Sequence, residues 1–578
     1  MYQMNKAETS AAWILRERPK NVAHIIEHAH PVLAEIYARR GVHSLDAINH
    51  SLGHLIPPNL LLNADKAGHI FADAIASNTR MTIVGDFDAD GATSTALAMR
   101  GLRALGATQI NFRVPDRFRD GYGLTPPIVD ELAAIGTQLI ITVDNGISSI
   151  EGIQRANELG IDVLVTDHHL PGEQIPNAMC IVNPNQTDCS FPSKNLAGVG
   201  VMFYVLMATR SVLRERGSKF AQVNLAQFLD LVALGTVADV VPLDQNNRIL
   251  VQQGIRRIRA GQACAGVNAL LLVAKKDRAF ITATDLAFSI APRINAAGRL
   301  DDMTHGILCL VTDVEREAIN LATELDALNQ ERRHIEADML SSAHNLLADA
   351  LTKLSDVPQA LVMHEPEWHQ GVIGILAGRI KDKFHRPTFC FAQAENGELK
   401  GSGRSIPGIH MRDALANVAT KHPGLIIKFG GHAMAAGLSL AATNLGQFRD
   451  AFIEELNLHS DADIFAKVLW HDGVLDEEYW NLTTATALES AGPWGQRFPE
   501  PRFISQGIIK TVLAKSERYC KFIWQGKKGA ELTSVMFDTS QFNRIETGAE
   551  VLALFSLDVN RFRGSESLQA RIEKICDL

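Results

Sequence analysis

The stretch Met81-Thr-Ile-Val-Gly-Asp86-Phe-Asp-Ala-Asp90-Gly91 contains an apolar run followed by three aspartates at alternate positions. The apolar run predicts a buried β-strand, and the alanine-rich segment after it, Ala92–Leu105, predicts a helix. The alternation continues with strand Ile110–Val114, helix Thr125–Ile135, strand Leu139–Val143, helix Ile150–Leu159 and strand Asp162–Thr166. Wholly apolar strands that alternate with helices predict an α/β fold, in which helices cover both faces of a parallel sheet.

Acidic side chains stand where three of these strands end. Asp86, Asp88 and Asp90 follow the first strand, Asp144 follows the third, and Asp167-His-His169 follows the fourth. In an open parallel sheet the ligand crevice lies beyond the carboxyl ends of the strands. We therefore expect these side chains to lie together in one crevice.

Such a concentration of carboxylates repels itself unless cations neutralise it. Carboxylates with imidazole, and without thiolate, suit Mg²⁺ or Mn²⁺. A further candidate ligand is Asp239, which ends an apolar helical run. The alternative is that Asp86 and Asp144 cap helices and that Asp88 lies in a turn. That alternative is adequate for one strand end, but acids at three strand ends beside a double histidine favour a metal site.

The composition limits the class of protein. The chain has 578 residues with 46% hydrophobic content, 56 basic and 65 acidic residues and a net charge of −9, which excludes a disordered or fibrous protein and argues against a globally basic nucleic-acid binder. Its longest apolar stretch, Ala197–Ala208, is too short to span a bilayer, and the N-terminus has no signal-peptide pattern. Seven cysteines without a C-x-x-C motif argue against disulfides and thiolate zinc. We expect a soluble, cytoplasmic protein.

The length predicts several domains. We assign residues 1–80 to a helical entry region, 81–312 to the metal-binding α/β domain and 313–354 to a long helical connector. A second α/β domain follows at 355–457. The last segment, 463–578, has short strand-like runs with glycine turns and is predicted to be a small β barrel or sandwich.

The predicted barrel contains a local excess of positive charge. Between positions 497 and 528 there are eight basic residues against two acids. The aromatic residues interleaved with them are Phe498, Phe503, Tyr519, Phe522 and Trp524. A basic groove with aromatic platforms is how OB folds hold single strands. The alternative places these aromatics in an ordinary β core, but the charge excess favours a nucleic-acid surface.

Several of these segments carry a family resemblance. The sequences Asp86-Phe-Asp-Ala-Asp-Gly91, Val143-Asp-Asn-Gly146, Asp167-His-His169 and the segment around Asp239 resemble the four motifs of the DHH phosphoesterase superfamily. Downstream, Ala291-Pro-Arg-Ile-Asn-Ala-Ala-Gly-Arg-Leu300, Gly401-Ser-Gly-Arg-Ser405 and Phe429-Gly-Gly-His432 resemble the bacterial RecJ family of that superfamily. The resemblance covers the chain from about residue 80 onward.

The resemblance implies two ions per active site, Mn²⁺ or Mg²⁺. Asp88 would hold one ion, Asp90 and His168 the other, Asp144 would bridge them, and Asp239 would complete the shell. It also implies a second α/β domain of the DHHA1 type and a C-terminal OB fold.

One position departs from the superfamily pattern. Relatives often have a histidine four residues before the first ligand, where this chain has Val84. Asp86 is the expected substitute, directly or through water. His169 would face the scissile phosphate rather than an ion, so that His169 and Asp144 are the predicted catalytic residues.

The resemblance also implies residues that hold the substrate. We expect phosphate contacts from Arg117 and from Asn295 and Arg299, which sit beside an expected tight glycine turn. In the second α/β domain, the expected contacts are Arg379 on a helix and Ser402, Arg404 and His432 in glycine-flanked loops.

The implied activity is that of a single-stranded-DNA-specific 5′→3′ exonuclease. It would release 5′-mononucleotides by two-metal hydrolysis in DNA recombination and repair, acting as a monomer with single-strand-binding protein and a helicase as partners. The alternatives are a DHH phosphoesterase of short oligonucleotides, cyclic dinucleotides or pyrophosphate, and a non-catalytic scaffold. The third domain argues against the small-substrate enzyme, and the intact set of ligands argues against the scaffold.

Other motifs are expected to be structural. Gly121-Tyr-Gly123 and Gly198-Val-Gly200 are weak phosphate-loop signals that are more often turns. His24, His28 and His30 are assigned to a solvated helix face. His369 either touches substrate or packs in the interior, with nothing in the sequence to decide between them.

Overall fold

The computed structural model describes residues 12–20, 30–117, 119–351, 357–394, 397–459, 462–562 and 564–577. The predictions for His24 and His28 lie outside these ranges. Across the described ranges, we find no helix that combines the length and the apolar character needed to cross a membrane.

The strands are β1 (Ala12–Leu15), β2 (Met81–Val84), β3 (Ile110–Arg113), β4 (Leu139–Val143), β5 (Asp162–Thr166), β6 (Cys180–Val182), β7 (Leu361–His364), β8 (Thr388–Gln393), β9 (Glu398–Arg404), β10 (Lys428–Gly431), β11 (Ala435–Ala441), β12 (Val468–His471), β13 (Phe503–Lys515), β14 (Cys520–Gly526), β15 (Glu531–Met536), β16 (Glu550–Phe562) and β17 (Ser565–Asp577).

The α-helices are α1 (Pro31–Arg39), α2 (Ala64–Ala76), α3 (Ala89–Ala104), α4 (Pro126–Ala134), α5 (Ile150–Glu158), α6 (Gly198–Glu215), α7 (Leu229–Ala238), α8 (Gln245–Arg259), α9 (Ala265–Val273), α10 (Ala283–Asp285), α11 (Ala291–Leu300), α12 (Thr304–Val311), α13 (Glu315–Leu351), α14 (Ile373–Phe384), α15 (Met411–Lys421), α16 (Leu445–His459) and α17 (Leu482–Ser490). A π-helical segment, Leu286–Ile290, joins α10 to α11.

The elements form two units. The larger comprises Leu15–Asn329 and His471–Leu578, and the smaller is built on Gln330–Trp470. The boundary between Asn329 and Gln330 falls inside α13, which is the long helix expected at 313–354.

The larger unit contains the predicted parallel sheet. Its strand order is β3-β2-β4-β5-β6, and all neighbouring strands are parallel. Because side chains alternate along a strand, Ile83 and Ile141 pack into the main core, whereas Val84, Ile140 and Val163 pack into a second core on the opposite face. Apolar side chains on both faces explain why the strands are apolar throughout, and they confirm the α/β prediction.

Small residues let the helices of this unit approach closely. A Cβ on Gly68 of α2 would come within 2.9 Å of the Ala208 backbone in α6. A Cβ on Gly254 of α8 would come within 2.1 Å of the Leu229 carbonyl oxygen at the start of α7. The position of α7 therefore depends on the absence of a side chain at Gly254.

A closed barrel, with strands in the order β13-β14-β15-β17-β16, completes the larger unit and confirms the predicted β barrel. The expectation of aromatic platforms on its surface is largely wrong. Phe498, Phe503, Phe522 and Trp524 are buried, and of the five aromatics only Tyr519 is exposed. Along β14 the burial alternates, so the aromatic side chains point into the barrel while the residues between them point outward.

The smaller unit is a five-stranded mixed sheet in the order β10-β11-β9-β8-β7, flanked by helices. Only β7 and β8 are parallel. Its core is a cluster of aromatic rings from β8 and α16, namely Phe389, Phe391, Phe448 and Phe452.

The N-terminal region is only partly helical. The strand β1, which the sequence did not predict, pairs with β12 in a two-stranded sheet. His30 does not lie on a solvated helix face: its Nε2 is 3.2 Å from Thr484 Oγ1, and its ring lies 5.9 Å from that of Tyr479. The expected solvent-facing role of His30 is therefore wrong.

Replacing Gly254 by alanine tests the packing of α8 against α7. The added methyl group meets a backbone oxygen and Ala233 Cβ, neither of which can move without displacing a helix, so we expect Gly254→Ala to lower the free energy of unfolding by about 1–3 kcal/mol. Gly378→Ala is the matched control: Gly378 lies inside α14 and, apart from the adjacent backbone of that helix and the chain neighbours, no atom of a described residue comes within 4 Å of the new methyl group. It should stabilise its helix by about 0.5–1 kcal/mol. Thermal denaturation measures both, and a Gly254→Ala variant as stable as the parent would contradict the packing argument.

Candidate metal centre

The strand-end residues come together at the carboxyl edge of the parallel sheet. Three groups have ligand atoms within 4.8 Å of one another: Asp86, Asp88 and Asp144; Asp90, His168 and Asp239; and Asp144, His168 and His169. The groups share members and form one continuous cluster. Seven of the eight side chains predicted from the strand ends and from Asp239 belong to these groups, and the eighth, Asp167, contacts His169.

Strand β2 is followed by Asp86, Asp88 and Asp90, which lie just before helix α3 or in its first turn. Asp88 caps this helix, because its Oδ1 accepts a hydrogen bond of 2.9 Å from Gly91 N–H. The alternative in which Asp86 would be a cap and Asp88 a turn residue is thus wrong. Asp86 Oδ1 instead accepts from Phe87 N–H at 2.7 Å. Burial, followed by the neighbouring Asp88 carboxylate, raises the pKa of Asp86 well above its usual value.

Asp90 is held by the N-terminus of a second helix. The backbone N–H groups of Gly198 and Val199, which open α6, donate to its carboxylate at 2.7 and 3.0 Å. The Gly198-Val-Gly200 signal is therefore a carboxylate-binding helix start, not a phosphate loop or a simple turn. Burial, and then the Asp239 charge, nevertheless raise the pKa of Asp90 to about 7.

Asp144 occupies the middle of the cluster. Its backbone adopts a left-handed conformation with φ 61°, and its N–H donates to the Thr166 carbonyl at 3.0 Å. A Cβ on Gly198 would lie 2.5 Å from Asp144 Oδ1, so only glycine fits there. Burial and the charge of Asp90 raise the pKa of Asp144 well above its usual value.

Asp167 binds the backbone of both histidines and the ring of His169. Its Oδ1 accepts hydrogen bonds from the backbone N–H groups of His168 and His169, and it lies 2.7 Å from His169 Nδ1. Burial and the neighbouring His169 lower the pKa of His168, which favours the neutral imidazole that a metal ion needs. Burial also opposes the charged form of His169, but the hydrogen bond to Asp167 raises its pKa to about 9. The His168 ring thus favours the neutral form, whereas the His169 ring favours the protonated form.

Asp239 follows the last residue of α7, and its Oδ2 is 3.5 Å from His168 Nε2. Burial, together with the Asp88 charge, raises the pKa of Asp239 to about 7. The next residue, Val240, has φ 60° and is 61% exposed. The chain therefore turns sharply away from the cluster immediately after the carboxylate.

Two buried polar atoms indicate that the cluster is suited to metal ions. Asp144 Oδ1 and His168 Nε2 are buried and 3.1 Å apart, and within the described ranges neither makes a hydrogen bond. Such unsatisfied buried atoms are costly unless something binds them. Together with four carboxylates whose pKa values are raised by burial, they form an oxygen-rich donor set that fits Mn²⁺ or Mg²⁺.

The predicted phosphate contacts of this unit have structural partners. Arg117 lies 4.1 Å over the Phe87 ring and donates through Nε to the Gly298 carbonyl at 3.0 Å. Asn295 Oδ1 accepts from Ala89 N–H at 2.9 Å and so supports the start of α3. Arg299 lies on the same helix, α11, and is half-buried.

The expected glycine turn beside these residues is wrong. Gly298 lies inside α11, and a Cβ there would be 1.9 Å from the Phe87 carbonyl oxygen. The glycine lets the helix approach the loop that carries the aspartates, rather than a ligand.

The remaining predicted contacts lie in the smaller unit. Ser402 and Arg404 are on strand β9, not in loops, and share the face that is opposite to the buried glycines. Arg404 donates to Ser402 Oγ at 3.1 Å, and a Cβ on Gly374 of α14 would come within 2.9 Å of both side chains. His432 follows strand β10, whose last two residues are Gly430 and Gly431, so this glycine pair is part of a β-hairpin.

Arg379 forms an ion pair with a glutamate of α13. Its Nε is 2.8 Å from Glu336 Oε1, and Glu336 is also paired with Arg332. His369 accepts a hydrogen bond of 3.1 Å from Gly371 N–H and is half-buried.

Sequence reasoning missed Tyr122 as a site residue. Its hydroxyl donates to the Asp144 carbonyl at 3.3 Å and lies beside His169. The sequence pattern that could have identified it is Gly121-Tyr-Gly123. Both glycines have positive φ angles, and the tyrosine lies between them. Asp167 was noted only as part of a motif, although it binds the backbone of both histidines.

Three family models match the chain in order. Residues 80–236 match the DHH family N-terminal domain, 357–458 the DHHA1 domain and 471–574 the RecJ OB domain. The fold class expected from the sequence is therefore confirmed for all three regions.

Sequence and structure relatives agree with these matches. The single-stranded-DNA-specific exonuclease RecJ of Dickeya dadantii is 48% identical over 98% of this chain and 99% of its own length, and that of Escherichia coli is 49% identical over 94% and 96%. The crystal structure of RecJ in complex with Mn²⁺ from Thermus thermophilus covers 98% of this chain and 80% of its own, with a TM-score of 0.81 at 28% identity. The chain belongs to the RecJ family of the DHH superfamily.

Proposed function

We propose that this chain is a metal-dependent exonuclease specific for single-stranded DNA, which degrades strands in the 5′→3′ direction and releases 5′-mononucleotides. The observation that carries the proposal is the buried cluster around Asp144, in which carboxylates and a neutral histidine converge with unsatisfied atoms. The relatives named as single-stranded-DNA-specific exonucleases support the substrate class.

In this proposal the cluster would hold two divalent ions, with Asp144 as the ligand common to both. Asp88, with Asp86 in place of the histidine missing at Val84, would hold one ion. Asp90, His168 and Asp239 would hold the other. When bound, the ions activate water and neutralise the charge that develops on the phosphodiester.

His169 has a separate role in this proposal. Its Nδ1 is held by Asp167, so the ring stays protonated at neutral pH and presents a cationic N–H beside the cluster. A fixed cation at that place stabilises the negative charge that builds up on the scissile phosphate. We therefore assign His169 to the phosphate rather than to an ion.

Substrate holding is assigned to residues from each unit. In the larger unit these are Arg117, Asn295 and Arg299, although the first two also support the aspartate loop. In the smaller unit they are Arg379, Ser402, Arg404 and His432. Lys521 and Lys527 on the barrel would add contacts to the strand backbone.

We further propose that the enzyme acts in DNA recombination and repair in the cytoplasm, as a monomer that works with single-strand-binding protein and a helicase. All seven cysteines are free thiols, which suits a reducing compartment. The partners are proposed from the family resemblance.

The nuclease proposal is tested with 5′- and 3′-labelled single strands, duplexes and dinucleotides in the presence of Mn²⁺ or Mg²⁺. We expect mononucleotides from the 5′ end of long single strands. Asp144→Ala should lower kcat by more than ~100-fold, since loss of a supporting group alone commonly costs 10–100-fold in metalloenzymes. Asp162→Ala is the matched control: Asp162 is exposed at the opposite end of the same sheet, and its variant should keep full activity.

Other outcomes of this assay favour the alternatives. Turnover of dinucleotides or pyrophosphate alone would indicate a small-substrate phosphoesterase, and binding without turnover would indicate a scaffold. Full activity in Asp144→Ala would refute the two-metal assignment.

The raised pKa values predict that metal binding releases protons. Asp90 and Asp239 have pKa values of about 7 in the metal-free fold, against 3.8 as ordinary carboxyls. Since the folded state holds these protons more tightly than the unfolded chain, the metal-free protein loses stability as pH rises from about 4 to 7. The increase in Tm caused by Mn²⁺ should therefore be larger at pH 8 than at pH 5.5.

Calorimetry at pH 6.5 measures the released protons directly. The heat of Mn²⁺ binding should depend on the ionisation enthalpy of the buffer, and Asp90→Asn should reduce this dependence. A buffer-independent heat at pH 6.5 would contradict the assignment of these carboxyls as ligands.

The barrel contribution is tested through salt dependence. Neither Lys521 nor Lys527 forms an ion pair with any described residue, whereas Lys528 is paired with Asp476 at 2.5 Å. Replacing Lys521 and Lys527 by alanine should reduce the slope of log K against log salt by about 1.4, or about 0.7 for each single-strand phosphate that a lysine no longer neutralises. The paired Lys528→Ala should change the slope less. An unchanged slope in the double variant would exclude this face from binding.

A further inference from the structure

Tyr122 stands beside the metal-binding cluster, and its position is fixed by the loop that carries it. Gly121 and Gly123 flank it with φ angles of 81° and 75°, a region that favours glycine. Asp120, one residue further back, is ion-paired with Arg113 at 3.0 Å. The loop is thus shaped and anchored so that the tyrosine side chain projects over the site.

The hydroxyl group of Tyr122 touches two members of the cluster. It donates to the backbone carbonyl of Asp144 at 3.3 Å, and it lies 3.4 Å from Nδ1 and 3.5 Å from Nε2 of His169. A phenolic oxygen has one proton to donate and lone pairs that accept. The same group can therefore donate to Asp144 while its oxygen stays in contact with the His169 ring, whose Nδ1 is already directed to Asp167.

Ring contacts hold the tyrosine in this place. Its ring meets His169 edge to face, with centroids 6.0 Å apart, and meets Phe87 in the same manner at 6.1 Å. The guanidinium carbon of Arg117, in turn, lies 4.1 Å from the centre of the Phe87 ring. Edge-to-face pairs of this kind have a preferred geometry, so the hydroxyl position is well defined although the side chain is 46% exposed.

The Tyr122 hydroxyl adds to the contacts that orient His169. Asp167 holds Nδ1 of His169 at 2.7 Å, and the His168 ring lies 4.5 Å from the His169 ring. Asp144, in turn, has a left-handed backbone with φ 61°, a conformation that is uncommon for a residue with a side chain. One hydroxyl between the two residues constrains both.

We propose that Tyr122 is a positioning residue for the hydrolytic reaction: its hydroxyl keeps the His169 ring and the Asp144 backbone in the relative orientation that the reaction requires. The inference rests on the proposed function, in which His169 contacts the scissile phosphate and Asp144 is shared by two ions. Tyr122 acts through these two residues and is not itself a metal ligand.

The test removes only the hydroxyl, with Tyr122→Phe. We expect kcat on a single-stranded oligonucleotide to fall about tenfold, in the range seen when a supporting partner of a metal site is removed. KM, the Tm of the metal-free protein and the rise in Tm caused by Mn²⁺ should stay as in the parent. Tyr37→Phe is the matched control, because the Tyr37 hydroxyl donates to the Ala491 carbonyl at 3.0 Å far along the chain from the cluster residues. That variant should keep kcat and lower Tm instead.

A double-mutant cycle with His169→Asn separates positioning from general damage. If Tyr122 acts through His169, adding Tyr122→Phe to His169→Asn should change the single-turnover rate by less than about twofold, because the residue to be positioned is already gone. Additive losses, an unchanged kcat in Tyr122→Phe, or a fall in Tm that accompanies the fall in kcat would each overturn the inference. A parent protein without nuclease activity in Mn²⁺ would instead refute the proposed function, which is a separate and directly visible result.

Discussion

Repulsion among buried carboxylates is the interaction on which the rest of this structure depends. Asp86, Asp90, Asp144 and Asp239 all have pKa values raised by burial and by the other carboxylates. Two like charges about 4 Å apart repel by ~4 kcal/mol at the effective dielectric of a protein surface. Without cations, the fold must hold these carboxylates together against their mutual repulsion. Divalent ions convert that repulsion into attraction, and in this way the same residues couple stability to catalysis.

The direct hydrogen bonds to Asp88 and Asp90 come from backbone groups rather than from basic side chains. Asp90 is held by the first N–H groups of α6, and Asp88 by those of α3. Helix N-termini stabilise negative charge without bringing in a competing cation. Each carboxylate oxygen has two lone pairs, so one backbone hydrogen bond still leaves capacity for an ion. An arginine at the same positions would have neutralised the cluster and made metal binding less favourable.

The sequence predicted the sheet, the barrel and the metal-binding edge because each is specified locally. Strand period, helix spacing and the position of acids after strands are all visible within a few residues, and parallel topology then brings the strand ends together. The supporting contacts were not predictable in this way. Asn295 bonds to Ala89 across 206 positions, and Gly298 is needed only because α11 packs on the Phe87 carbonyl. The barrel aromatics were misassigned although the signal was local: Phe522 and Trp524 lie two residues apart in an alternating strand, a period that places both on the inner face.

The net charge of −9 is compatible with binding a polyanion because charge acts over a short range. At physiological salt the screening length is about 8 Å, so a DNA strand responds to the face it lies on and not to the whole protein. Two divalent ions would add four positive charges at the cluster, where several carboxylates lie close together. On the barrel, the basic residues differ in availability: Lys510 and Lys528 are paired with Glu531 and Asp476, and such exposed pairs have little free attraction left for phosphate. The unpaired lysines of the same surface are therefore the ones whose charge a strand can use, and the number of basic residues in a segment overstates its affinity for DNA.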